Sequence, residues 1–346
     1  MNKPNLIFIY PKKFTFIRTE IKLLEEGYNL KTHDLNWENK TALPLNLFQQ
    51  LLFLFRNIFF TKSVLISFGG YWSLLPAIFG KMFNKKVFIV VHGTDCVDFS
   101  QIGYGNLRLP RMRFFIKYTY KLVDTILPVS DSLIFTENSY YNDEKLLFGY
   151  NHHFKNIKTK HHVIHNGINT NDWCRNDDIN RNKNSFITVL SKGQFIRKGG
   201  ELIVQLAKRL PDYEFIFAGI DNSDIPEELP NIKCLGYVTP DQLQDLYSKT
   251  QFYFQLSLFE GFGVAICEAM LCECIPIVSD VNFLPGIIGD SGFILKKRNV
   301  DMLDKLVNIA FNSSYDDLEK KARARVVDNF SYHKRKDNLL NFLNSQ

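Results

Sequence analysis

Apolar residues fall along the chain in two kinds of run. Short, nearly continuous ones predict strands buried on both faces: Leu6 to Tyr10, Val64 to Phe68, Val87 to Val91, Thr125 to Val129, Phe186 to Leu190, Tyr213 to Ala218 and Ile275 to Val278. Between them lie segments with helical spacing. Phe14 to Glu26 places Ile17, Ile21 and Leu24 on one face and is closed by Gly27; Tyr71 to Phe83, Pro240 to Tyr247 and two tail helices, one to Val327 and one from Tyr332 to Phe342, read likewise. Alternating buried strands and helices predict an α/β chain.

Two segments break the pattern. Leu43 to Phe60 is apolar nearly all round, interrupted only by Asn46, Gln49, Gln50, Arg56 and Asn57. It reads either as a core-packed helix or as one lying in a membrane interface, and core packing is favoured. Leu107 to Val123 interleaves Arg108, Arg111, Arg113, Lys117 and Lys121 with Phe114, Phe115, Tyr118 and Tyr120. Such a helix either rests Arg111, Arg113 and Lys117 on an anionic membrane surface or is an ordinary domain helix with a basic solvated face.

Length and composition narrow the class. A chain of 346 residues predicts two domains, placed at 1–168 and 169–330, with 331–346 as a tail helix. Apolar residues at 45% and charged residues at 23% exclude a disordered chain. Six scattered Cys form neither a disulfide nor a zinc spacing and read as reduced thiols in a cytoplasmic protein. Met1 to Pro11 reads as a polar lead-in and a strand rather than a signal peptide, and the apolar runs are too short for a membrane span. Residues 1–173 hold 21 Lys and Arg against 13 Asp and Glu, a balance of +8 that leaves −2 for the remainder. A basic first half points to an anionic partner, membrane lipid or an acceptor phosphate more than nucleic acid. His161 and His165 have helical metal-ligand spacing, but Val163 to Ile168 reads as a strand and an Asn-Gly turn, so no metal site is expected.

The candidate chemistry concentrates in Phe252 to Ser279. A strand turns through Leu258 to Gly263, a short helix holds Glu268, and a second strand follows. In an open α/β sheet, ligands bind in the crevice beyond the carboxyl ends of the strands. Gly261 and Gly263 leave main-chain N–H groups accessible at a helix N-terminus, which favours phosphate or sugar oxygens. Glu260 and Glu268 then offer carboxylates to sugar hydroxyls and to a ribose diol. His92, ending the strand Val87 to Val91, also stands where ligands bind.

Glu260-Gly261-Phe262-Gly263, Glu268-Ala269-Met270 and Pro276-Ile277-Val278 together resemble the donor-site signature of family 4 retaining glycosyltransferases. The resemblance implies the GT-B fold, two facing Rossmann-like domains with a cleft between them, and the tail helix packing back on the first domain. It also implies transfer of a sugar, a UDP-hexose favoured, from a nucleoside diphosphate sugar to a glycan or lipid-linked acceptor in surface polysaccharide or lipopolysaccharide assembly. By the same resemblance Glu268 holds the ribose diol, and Glu260 with Gly261, Phe262 and Gly263 holds the sugar. Gly236 and Tyr237 frame the base, Lys198 binds the diphosphate, and His92 faces the transferred sugar. Relatives have an Arg near Gly193, so Lys192 or Arg197 must take its part. The loop Pro11 to Thr15 lacks the family's glycines, and Glu273 stands where relatives have Gly. No cofactor is implied, and the cationic loop stands in for a metal. The location implied is cytoplasmic, with peripheral contact to the inner face of the cell membrane left open.

Other classes fit less well. A nucleotide-sugar epimerase or a non-catalytic nucleotide-binding protein fits the same fold, but the basic aromatic helix is better explained by a large anionic acceptor. A dinucleotide dehydrogenase needs G-x-G-x-x-G, and Ile266 stands where the third small residue is required. A nucleic-acid reader is indicated by charge alone.

Overall fold

A computed structural model describes residues 3–346; Met1 and Asn2, the start of the predicted polar lead-in, lie outside it. The chain divides into two compact units, residues 1–136, 147–165 and 335–346 forming one, and residues 137–146 and 166–334 the other.

The first unit is built on β1 (Asn5–Ile9), α1 (Thr15–Gly27), β2 (Asn29–Thr32), α2 (Leu43–Asn57), β3 (Ser63–Ser67), α3 (Leu74–Met82), β4 (Lys86–Val91), α4 (Pro110–Leu122) and β5 (Thr125–Pro128). A short ladder, β6 (Thr136–Asn138) with β7 (Leu146–Phe148), precedes α5 (Tyr150–His153) and the edge strand β8 (Lys160–His161). The main sheet has the order β2-β1-β3-β4-β5-β8 and is parallel throughout. Right-handed crossovers place α1 on one face and α2, α3 and α4 side by side on the other. Strand residues from Leu6 to Ile9 and Val87 to Val91 are buried, as runs without polar alternation require.

The second unit repeats the plan with β9 (Asn182–Val189), α6 (Gly200–Arg209), β10 (Glu214–Ala218), β11 (Ile232–Cys234), α7 (Pro240–Lys249), β12 (Thr250–Gln255), α8 (Val264–Leu271), β13 (Ile275–Ser279), α9 (Leu284–Ile288), β14 (Phe293–Leu295), α10 (Val300–Phe311) and α11 (Tyr315–Phe330). Its parallel sheet runs β11-β10-β9-β12-β13-β14. The chain leaves β9 toward one edge and returns to β12 on its other side, so the switch point of the topology lies between β9 and β12. The last helix, α12 (Tyr332–Asn344), has Arg335 and all later residues in the first unit.

Two readings are corrected. The segment 43–60 is not core-packed. Its α-helix stops at Asn57, and only Asn46, Gln50 and Leu54 are buried within it. The inward face is part polar, part apolar: Asn46 donates to the Asn36 carbonyl (2.9 Å) and Gln50 to the Trp72 carbonyl (3.0 Å), with Leu54 and Ile58 buried beyond them, while Leu45, Phe48, Leu52 and Phe55 are left outside. The strand expected at Val163 to Ile168 is instead Lys160–His161, after which the chain runs extended with single bonds such as Ile164 N–H to the Pro128 carbonyl (3.0 Å).

Candidate active site

The loops after β9 and β12 emerge side by side at the switch point, each leading into a helix N-terminus. They are fastened together. Leu258 N–H donates to the Arg197 carbonyl (2.8 Å), and Gly199 (φ 79°) sits so close that a Cβ there would lie 2.4 Å from the Leu256 carbonyl oxygen. Only glycine meets both the left-handed backbone and that approach.

This fastening sets two cations on one carboxylate. Lys198 Nζ lies 3.1 Å from Glu260 Oε2, and the Arg197 guanidinium lies 3.9 Å from the same oxygen while donating to the Phe259 carbonyl (3.1 Å). Gln255 Nε2 (2.9 Å) and Ser257 Oγ (3.3 Å) also donate to Oε2, whereas Oε1 has no partner among the described residues. Behind them the Tyr253 hydroxyl donates to Gln255 (3.0 Å), and Asn282 accepts the Glu260 N–H (3.0 Å).

Burial penalises the charged form of Glu260, but Lys198 and Arg197 outweigh it and hold the carboxyl below its usual range. Burial also draws the Lys198 ammonium below its ordinary value, with Glu260 working against the shift. The carboxyl of Glu268, on the second turn of α8, has no hydrogen bond or ion pair among the described residues. Burial lifts its carboxyl to about 7, with Lys198 opposing. An ionised Glu268 is an acceptor awaiting donors.

Gly261, Phe262 and Gly263 are buried in the turn ahead of α8, where Gly263 (φ 115°) is the cap. Gly236 closes the neighbouring edge by donating to the Ile220 carbonyl (2.8 Å) and accepting from Gly219 N–H (2.7 Å), which leaves the Tyr237 ring almost fully exposed. Lys192 stands apart: its side chain is 84% exposed and pairs with Asp224 (3.4 Å), against 13% and 11% exposure for Arg197 and Lys198. Of the two residues that the sequence resemblance offers in place of an arginine near Gly193, the fold brings Arg197 to Glu260. Gly193 (φ 83°) has left-handed backbone that suits glycine better than arginine. Glu273 adopts the left-handed conformation (φ 65°) that a glycine would take, and Arg175 pairs with its carboxylate (3.4 Å).

In the first unit, His92 follows β4. Its Nε2 is 3.0 Å from the Ser67 hydroxyl, and its ring stacks on Phe68 (4.2 Å between centroids). Burial, then Arg335, pull its imidazole down to about 3, so the ring is neutral at pH 7. The buried Asp95 carboxylate accepts main-chain N–H bonds from Gly69 (2.8 Å), Gly93 (3.1 Å) and His92 (3.2 Å), fixing the turn that carries the histidine. On α4, Arg111 and Lys117 are exposed, whereas Arg113 is tied to the His153 carbonyl (3.3 Å) and Asp98 (3.9 Å). Arg113 and Lys117 border a hollow of about 390 Å³ with Lys121 and Lys155.

Gln255, Ser257 and Asn282 are absent from the residues the sequence singles out. Gln255 and Ser257 had a signal, as polar residues in an otherwise apolar run through Leu258. Asn282 (φ 49°) had none, since its role depends on the turn after β13 meeting the turn after β12.

Residues 175–329, within the second unit, match the sequence model of the family described as Glycosyl transferases group 1. An O-antigen chain mannosyltransferase B of Escherichia coli is 38% identical over 21% of this chain and 19% of its own length. The matches take in about half or less of the curated relatives' lengths. Among solved structures, a sucrose-phosphate synthase from Thermosynechococcus elongatus superposes with a TM-score of 0.74, at 13% identity and 99% coverage of both chains. Anabaena HepE in complex with UDP superposes with a TM-score of 0.73, at 13% identity over 99% of this chain and 100% of that one. The fold is GT-B.

Proposed function

We propose that this chain is a retaining glycosyltransferase of the family 4 type. It moves a sugar, a UDP-hexose by preference, from a nucleoside diphosphate sugar to a glycan or lipid-linked acceptor in surface polysaccharide assembly. The observation that carries the proposal is the convergence of Arg197, Lys198 and Glu260 at the switch point, beside the partnerless Glu268. The group 1 match over 175–329 and the O-antigen relative support the reaction class, and the UDP held by HepE supports the choice of nucleotide.

Glu268 accepts the ribose hydroxyls. Lys198 and Arg197 take the diphosphate, whose charge grows as the bond from the sugar C1 to phosphate oxygen breaks; preorganised cations at a developing charge are a large source of rate. Glu260, its Oε2 spoken for, offers Oε1 to a sugar hydroxyl. The acceptor oxygen bonds to C1 on the face the diphosphate leaves, and its proton passes to the departing phosphate oxygen. The two cations take the charge that a metal would otherwise neutralise. Neutral His92 contributes to sugar transfer without adding charge, and Arg111, Arg113 and Lys117 engage an anionic acceptor or membrane surface.

A thermal-shift series with UDP, GDP, ADP and NAD tests the reading. Stabilisation by UDP or GDP is expected and identifies the base, while stabilisation by NAD alone would sink the proposal.

A further inference from the structure

Leu45, Phe48, Leu52 and Phe55 of α2 are each 40–57% exposed, an unusual load of large apolar side chains for one helix. At about 100° per residue they fall within an arc of roughly 80°, continued beyond the helix by exposed Phe59 and Phe60 and joined from the end of α3 by exposed Met82. Asn46 and Gln50 occupy the opposite, buried side, spent on main-chain carbonyls. Two of its three buried positions are therefore polar, and its largest apolar side chains are exposed, the reverse of the usual amphipathic arrangement.

The charge carried by α2, α3 and the segment joining them has one sign. Between Glu38 and Asp95 the sequence has no Asp or Glu but six Lys or Arg. Of these, exposed Arg56 and Lys81 have no ion pair among the described residues. Right-handed crossovers place α4, with exposed Arg111, Phe114, Lys117 and Tyr118, on the same face of the sheet as α2. A second copy docked stripe to stripe would bring two sets of cations together with no acid on α2 or α3 to pair them. An anionic bilayer supplies both an apolar layer for the stripe and phosphates for the cations.

We infer that α2 is an interfacial anchor: Leu45, Phe48, Leu52 and Phe55 enter the acyl boundary of an anionic bilayer, with Arg56 and Lys81 at headgroup level. This goes beyond the charge contact proposed for α4 and does not depend on the donor reading, since it concerns the first unit alone.

The test uses the full chain with sedimented vesicles, either phosphatidylglycerol mixed with phosphatidylcholine or phosphatidylcholine alone. The parent should bind the anionic vesicles preferentially. Phe48→Ser with Phe55→Ser should lower the partition coefficient about tenfold or more without moving the unfolding midpoint. Arg56→Glu with Lys81→Glu should erase the lipid preference. A Phe55→Trp variant should shift to shorter-wavelength emission on binding and be quenched by brominated acyl chains. Equal binding by the Phe48/Phe55 double variant, or an indole signal from Phe55→Trp that brominated lipid leaves unquenched, would overturn insertion. A dimer seen by ultracentrifugation and dispersed by the double variant would assign the stripe to a second copy instead.

Discussion

Lys198 Nζ and Glu260 Oε2 stand 3.1 Å apart at the point where the second sheet reverses its strand order. The pair is buried, and each member shapes the other: the ammonium keeps the carboxyl ionised, and the carboxylate offsets the cost of burying the ammonium. A diphosphate arriving here meets a cation already desolvated and already aimed.

Lys198→Met should therefore lower kcat/KM for sugar transfer by about 10² to 10³, the scale set by loss of a preorganised charge at a transition state. Lys198→Arg should recover part of that loss. Steady-state kinetics with the donor identified by thermal shift provides the check.

Arg197→Ala should weaken nucleotide diphosphate binding at least about tenfold, while Lys192→Ala should change it less than about twofold. The structural reason is placement: Arg197 is held against the Phe259 carbonyl and Glu260, and Lys192 is solvated beside Asp224. Titration calorimetry on the two variants separates them.

Glu268 predicts a pH dependence. Its carboxyl titrates near 7 in the free protein, so nucleotide affinity should fall as pH drops from 8 to 6 and the ribose acceptor is protonated. Stability runs the other way. The folded value lies above the unfolded one, so this group's contribution is fully present below the unfolded value and is lost as pH rises through about 7. Glu268→Gln should be about 1–3 kcal/mol more stable than the parent at pH 8 and should bind UDP weakly, keeping only the pH dependence that the terminal phosphate of UDP brings with it. Unfolding and binding measured at pH 6 and pH 8 decide the matter.

Gly199→Ala should cost roughly 2–3 kcal/mol and displace Lys198, because the added Cβ meets the Leu256 carbonyl oxygen at 2.4 Å and the backbone is left-handed. Denaturant unfolding should register the loss, and UDP should no longer stabilise the variant.

Much of this was legible in the sequence. The strand, Glu260 turn, Glu268 helix and second strand fall where the apolar runs placed them, because buried parallel strands leave an unmistakable pattern. The diphosphate arginine was not decided, since Lys192 and Arg197 are equivalent as letters and differ only in what the turn after β12 brings near. Helix α2 was misread for a related reason. A helix apolar nearly all round is normally buried, and only the bonds of Asn46 and Gln50 to Asn36 and Trp72 reveal that these two polar residues face inward. The Arg335–Glu20 ion pair (2.8 Å), which holds the last helix against α1, joins residues 315 positions apart and left no local trace.

The measurement that bears most directly on the central claim is UDP affinity in Glu268→Ala and Glu260→Ala beside the parent. Loss of the ribose acceptor in Glu268→Ala should weaken UDP by at least about tenfold. Glu260→Ala should retain UDP binding, since Lys198 is then released to the diphosphate, yet lose sugar transfer. Equal UDP affinity in all three proteins would contradict the assignment of this cluster as a nucleotide-sugar site.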